Sequence, residues 1–250
     1  MRKSLSLLRF QLRVLSAYFK NPKWDARKTK EFFVYLLYYF LNFWYYTILT
    51  IFESFTINNN LLKKIDNRIT DIYNSENQFW VSLKEGYRQR SEKVTNLTYG
   101  ETSYFAIKES LKAVNMSKDD IFYDLGCGTG KTVFYANATY GAKSIGVDIV
   151  PDFINNANKI VHEMNLQNIS FIEKSIFDVN LKDGTVFYIT PTCFDAENMQ
   201  KVMKKFEKLP KGSRLIVLSR HLPLPNLKLI DRKNLFYSWG KAETFYYSVV

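Results

Sequence analysis

The residues with the clearest chemistry run Ile121-Phe122-Tyr123-Asp124-Leu125-Gly126-Cys127-Gly128-Thr129-Gly130. An apolar stretch the length of a strand leads into three alternate glycines, and a helix-forming segment follows. Glycine tolerates positive φ and lets a ligand approach the backbone closely. In open α/β sheets such loops sit at the carboxyl ends of strands, where ligands bind. The spacing is GxGxG with an aspartate two residues ahead of it, not the GxGxxG of dinucleotide-binding loops. A carboxylate in that place repels a pyrophosphate and suits a cation. The methionine end of S-adenosylmethionine carries such a cation, so Asp124, Gly126, Cys127, Gly128 and Gly130 are expected to cradle that cofactor.

A second apolar strand, Ser144-Ile145-Gly146-Val147, ends in Asp148, 24 residues after Asp124. A carboxylate at that strand end can accept both ribose hydroxyls. A third strand leads to Ser175-Ile176-Phe177-Asp178. An adenine would lie there beside Ile176; Phe177 could pack on the ring, and Asp178 could take its amino group or simply be solvated.

The elements around these residues alternate. Helices are expected at 102–114, 131–138, 151–164 and 194–209. Strands are expected at 121–125, 144–147, 169–172, 185–189, 214–218, 227–230 and 244–250. Alternation of this kind predicts an α/β fold, a mostly parallel sheet with helices on both faces. The last two strands fit an antiparallel C-terminal edge.

Further residues carry a family resemblance. Tyr99-Gly100-Glu101-Thr102-Ser103 and the block Met116-Ser117-Lys118-Asp119-Asp120-Ile121 before the glycine loop resemble the non-SET histone-lysine methyltransferases, the "disruptor of telomeric silencing" family. So do Ile216-Val217-Leu218-Ser219-Arg220, Ser238-Trp239 and Tyr246-Tyr247. The resemblance covers about residues 95–250. It implies a class I, Rossmann-like methyltransferase domain with a seven-stranded sheet over residues 96–250, S-adenosylmethionine as cofactor, and a protein lysine as acceptor. It further implies that Tyr99, Glu101 and Thr102 close over the methionine end, and that Tyr188, Ser219, Trp239 and Tyr246 line a lysine channel. The acidic residue that the family places at the adenine stands here as Ile176, unless Asp178 substitutes for it. One motif departs from the family as well. Its Asn-Asn-Phe-x-Phe stands here as Thr190-Pro191-Thr192-Cys193-Phe194, so Thr190 keeps one hydroxyl where a carboxamide would offer paired geometry. A lipid, quinone or other small membrane-associated acceptor, and a cofactor-binding scaffold without transferase activity, remain open beside the protein lysine.

Composition narrows the field. Two cysteines and two histidines exclude a disulfide scaffold and argue against a metal centre. They point to a reducing compartment, the cytoplasm. The net charge of +11 is uneven: residues 1–98 carry 16 Lys+Arg against 8 Asp+Glu, and residues 99–250 carry 19 against 16. The small excess in the second part argues against nucleic acid as substrate. Residues 1–95 read as a helical N-terminal region, with a polar helical segment from Asn60 to about Gln89. Its residues 32–52 hold no charge and many aromatics. That segment is long enough to reach across a bilayer, yet its tyrosines favour an interface. It could lie on the cytoplasmic face of a membrane as an amphipathic anchor, or be a buried helix of a soluble region.

Overall fold

The computed structural model describes residues 26–73, 78, 81–82, 84–85 and 100–250. The chain divides into two compact units, residues 1–56 and 57–250. The domain boundary expected from sequence near residue 95 lies outside the described residues. The polar helical segment expected to reach Gln89 is described as a helix over Asn60–Ile72; most of its later residues lie outside the described set.

In the first unit, helix α1 spans Ala26–Thr56 without a break. Its large apolar side chains Phe33, Val34, Leu36, Leu37, Phe40, Leu41, Trp44, Ile48, Ile51, Phe52 and Phe55 are all exposed. Among the described residues, no helix is long and apolar enough to cross a membrane.

The second unit opens with α2, Asn60–Ile72. Asn59 caps it: its side chain accepts from the amides of Leu61 and Leu62 and donates to the Ala138 carbonyl at 2.6 Å. Such a cap satisfies amides that the first turn leaves without partners. Leu62, Ile65 and Ile69, spaced three and four apart, form its buried face. Helix α3, Tyr104–Ala113, is capped by Ser103, which accepts from the Ala106 amide and donates to the Phe236 carbonyl. The fully buried Tyr104 reaches Asp66 of α2 through its hydroxyl at 2.9 Å.

There follow β1 Ile121–Leu125, α4 Lys131–Tyr140, β2 Lys143–Asp148, α5 Pro151–Glu163, β3 Ile169–Glu173, β4 Val186–Ile189, α6 Ala196–Phe206, β5 Arg214–Leu218, β6 Leu227–Tyr237 and β7 Gly240–Val249. They build one seven-stranded sheet in the order β3-β2-β1-β4-β5-β7-β6. The first five strands of that order run parallel, and β7 pairs antiparallel with both β5 and β6. This is the doubly wound class I architecture that the sequence implies. Alternate side chains of β4 and β5 enter opposite cores. Val186, Tyr188, Ile216 and Leu218 face one helical layer; Phe187, Ile189, Leu215 and Val217 face the other. A strand covered on both sides has no reason to alternate apolar and polar residues, hence the continuous apolar runs.

Two elements differ from expectation. The helix expected from Phe194 begins later. A 3-10 turn occupies Pro191–Cys193, Phe194 is extended, and Asp195 caps α6 by accepting the Asn198 amide. Apolar periodicity carried the expected start too far upstream; an aspartate followed by a helical run is the stronger start signal. The strand expected at 227–230 continues to Tyr237, through a bulge at Leu229/Asp231. Asp231-Arg232-Lys233 reads as a loop in sequence, but an edge strand tolerates charges on its open side.

Candidate active site

Strand order reverses at β1, between β2 and β4, and such a switch point opens a crevice beyond the strand ends. A cavity of about 360 Å³ lies there. Its floor is the loop from β1 to α4. Gly126, Gly128 and Gly130 take φ of 93°, 51° and 81°, all left-handed. The amides of Gly126 and Cys127 both donate to the Val147 carbonyl, and the Gly130 amide to that of Cys127. The loop is therefore pinned to β2. A side chain at Gly130 would meet the Phe171 ring at 2.5 Å, so Gly130 also keeps α4 against the sheet.

Asp124 and Asp148 stand at the ends of adjacent strands and are both buried. Asp124 accepts a hydrogen bond from the Thr132 hydroxyl. Burial, and secondarily the charge of Asp148, pushes its carboxyl well above the ordinary carboxylate range. Asp148 accepts the Gly128 amide at 2.8 Å and the Val150 amide at 2.9 Å. Burial raises its pKa as well, and those amides oppose the rise. The Cys127 thiol is driven well upward by burial and by both aspartates, so it is no thiolate nucleophile.

The far end of this cradle holds a residue the sequence reading passed over. Lys131, the first residue of α4, is 5% exposed. Its Nζ donates to Glu101 Oε1 at 2.9 Å and lies 4.0 Å from the centre of the Tyr104 ring. A lysine at a helix N-terminus opposes the helix dipole. That misplacement was the available signal: such a cation needs an acid, and Glu101 supplies it. Glu101 is in turn held by Ser238, whose hydroxyl accepts the Glu101 amide and whose own amide donates to the Glu101 carbonyl.

Across the cavity stand Tyr188, Thr190, Thr192, Cys193, Phe194 and Trp239. The Tyr188 hydroxyl pairs with that of Thr102 at 3.3 Å. Burial raises its pKa far above the usual tyrosine value, so it keeps its proton. Trp239 sits in the two-residue turn joining β6 to β7 and stacks on Tyr237, with ring centres 4.9 Å apart. Gly100 permits this: a side chain there would meet the indole at 2.6 Å. Among the described residues, this wall carries no carboxylate, imidazole or amine.

Comparison with known proteins joins these observations. Residues 79–238 match the family described as histone methylation protein DOT1. The chain belongs to this family. It is a class I S-adenosylmethionine-dependent methyltransferase. A protein-lysine N-methyltransferase of Saccharolobus islandicus is 29% identical over 127 residues, spanning 49% of this chain and 76% of that protein. The H3 lysine-79-specific histone-lysine N-methyltransferase of Dictyostelium discoideum is 26% identical over 156 residues, which is 57% of this chain but only 8% of that much longer protein. Among solved structures, TrmN of Thermus thermophilus superposes with a TM-score of 0.51 at 16% identity, covering 58% of this chain and 48% of that one. The last likeness is one of fold alone.

S-adenosylmethionine, the cofactor of this DOT1-family chain, fits the residues present. Its methionine end is a zwitterion, and the cradle offers buried acids for the ammonium and buried Lys131 for the carboxylate. The ribose fits Asp148, whose oxygens each keep a lone pair after accepting one amide. Glu101, Thr102, Asp124, Gly126, Cys127, Gly128, Asp148, Tyr188, Thr190 and Trp239 all line the cavity, as does the unanticipated Lys131.

Other expected residues stand elsewhere. Tyr99 lies outside the described residues. Tyr246 is fully buried, pairs with Ser110 through its hydroxyl and is not one of the cavity-lining residues. Ser219 is an exposed residue at φ 61°, its amide tied to the Glu243 carbonyl. Ile176 and Phe177 pack into the core on the α6 side, Phe177 against Phe194, and Asp178 is exposed.

Proposed function

We propose that this DOT1-family chain transfers the methyl group of S-adenosylmethionine to the ε-amine of a lysine in a protein. The aromatic wall of Tyr188, Phe194 and Trp239 beside the cofactor cradle carries this reading. The named activities of the Saccharolobus and Dictyostelium relatives agree with it. When bound, the cofactor supplies an electrophilic methyl carbon on a sulfonium. Tyr188, Thr190 and Trp239 would hold the acceptor amine in line with it, and positioning is the main requirement of such a transfer. Aromatic walls strip water from an ammonium, and desolvation lowers an amine pKa. Among the described residues the wall holds no side-chain base, and in this reading the proton leaves to water before attack. The product pair is S-adenosylhomocysteine and a methylated lysine. Work in the cytoplasm fits the free thiols of Cys127 and Cys193.

The test is mass spectrometry of peptides after incubation with methyl-labelled cofactor and a host lysate. Label on lysine side chains is the expected result. Label confined to lipids, quinones or other small molecules would replace the acceptor, and S-adenosylhomocysteine binding without label anywhere would mean a scaffold.

A further inference from the structure

The two sides of the cavity meet at one short segment, Gly100–Ser103. Gly100, Glu101 and Thr102 all line the cavity. Their side chains reach the site: the Glu101 carboxylate holds buried Lys131 at 2.9 Å, and the Thr102 hydroxyl pairs with that of Tyr188 at 3.3 Å. The backbone of the segment is clipped to the end of the β6–β7 hairpin. Ser103 donates to the Phe236 carbonyl at 2.7 Å. The Ser238 amide donates to the Glu101 carbonyl, and the Ser238 hydroxyl accepts the Glu101 amide at 2.9 Å. Residue 101 thus faces 238 and residue 103 faces 236, the opposed count of an antiparallel pair. The Trp239 indole lies on Gly100, where a side chain would meet it at 2.6 Å.

Ser238 is half-buried and is not one of the cavity-lining residues. It reaches the site through two that are, Glu101 and Trp239. Any residue in this turn could offer the backbone bond to Glu101. The second bond needs a side-chain oxygen. Two bonds fix the Glu101 backbone relative to the turn; one would leave it free to pivot. The other end of this connection bears on the ligand. Lys131 is answered within the chain by Glu101. A methionine carboxylate on Lys131 competes for that ammonium, and the ligand's own ammonium attracts Glu101 in turn. Filling the cradle therefore acts on Glu101, and Ser238 passes the displacement to the turn that carries Trp239.

We propose that Ser238 is a positioning residue: its paired hydrogen bonds to Glu101 tie the Trp239 wall to the methionine end of the cofactor, so that bound cofactor sets the indole for the acceptor. Linkage makes the effect mutual, and an acceptor that needs the set indole tightens cofactor binding by the same factor. The inference rests on the reading of Trp239 as acceptor wall. Its test uses only ligands of the cofactor site, so an acceptor other than lysine leaves the result standing.

The test is fluorine NMR of protein carrying 5-fluorotryptophan, with the Trp239 resonance identified through Trp239→Phe. S-adenosylhomocysteine should shift that resonance in wild type. 5′-Methylthioadenosine, which lacks the amino-acid end, should bind and leave it in place. Ser238→Ala should bind S-adenosylhomocysteine about three- to tenfold more weakly, the worth of one hydrogen bond. At saturation its Trp239 resonance should stay where the free protein has it. Ser238→Thr, which keeps the hydroxyl, should restore both affinity and shift. A shift in saturated Ser238→Ala equal to that of wild type overturns the proposal, because the ligand then acts on the indole without the serine. So does an unshifted resonance in saturated wild type, an equal shift from both ligands, or a Ser238→Thr protein that behaves as Ser238→Ala does. The comparison of the two ligands needs wild type alone and holds whether or not Ser238→Ala folds. Wild type that binds neither ligand would overturn the proposal together with the cofactor assignment.

Discussion

The two sides of the cavity are held by different means. On the cofactor side, position comes from backbone. Three left-handed glycines and amide hydrogen bonds to Val147 and Asp148 fix the loop, and the two aspartates stand at the carboxyl ends of neighbouring strands. On the acceptor side, position comes from side-chain stacking and short turns: a 3-10 turn at Pro191–Cys193 and an indole in a hairpin turn. A backbone-built cradle admits few sequences. A side-chain wall can be rebuilt residue by residue, and the Thr190-Pro191 replacement lies on that side. The fold thus separates what must stay constant, the cofactor, from what can change, the acceptor.

Substitutions can break this contrast, and the largest effect is expected at Gly130. Gly130→Val puts a branched side chain at φ 81° and against Phe171. Left-handed strain and overpacking together should cost about 3 kcal/mol. Thermal unfolding should fall by roughly 10 °C, and cofactor binding should go with it. A variant as stable as wild type would mean the loop is not pinned as described.

Lys131→Met sharpens the cofactor side. Loss of a charged hydrogen bond should weaken S-adenosylhomocysteine about tenfold in calorimetry. 5′-Methylthioadenosine, which lacks the amino-acid end, should bind it as wild type does. Equal loss for both ligands would place Lys131 in loop structure rather than at the carboxylate.

Trp239→Ala should do the reverse. The acceptor KM is expected to rise about tenfold, with S-adenosylhomocysteine affinity nearly unchanged. A fall in cofactor affinity instead would dissolve the division between the two sides.

The smallest effect is in pH. Asp124 is raised by burial and then by Asp148, so the empty cradle favours its proton. A ligand ammonium favours the ionised form, so binding expels that proton and affinity rises with pH through the raised value. Calorimetry in two buffers of different ionisation enthalpy should show release, abolished in Asp124→Asn. Stability moves the other way: the contribution of a carboxyl raised in the folded state is complete below 3.8, its ordinary value, and is lost as pH rises through the folded value.

How much the sequence revealed follows the same division. Asp124, the glycines and Asp148 were legible because strand, acid and glycine turn impose one spacing. The parallel sheet was legible because strands buried on both faces are apolar throughout. Lys131 was not, since a lysine opening a helix reads as solvated until Glu101, thirty residues away, is seen beside it. Tyr246 matched a motif and shares the sheet face of Tyr188, yet motif position does not show that it stands two strands further over, with its hydroxyl on Ser110 of α3. The C-terminal half of β6 was hidden by charges that only an edge strand tolerates.

The most direct measurement is calorimetric titration of S-adenosylhomocysteine into wild-type and Asp124→Asn protein, each shown folded by circular dichroism. The cradle predicts binding by wild type and at least about tenfold weaker binding by the variant, the loss expected when an ionic hydrogen bond becomes a neutral one. Equal affinity for both proteins, or no binding by well-folded wild type, would contradict the assignment of this cavity to the cofactor.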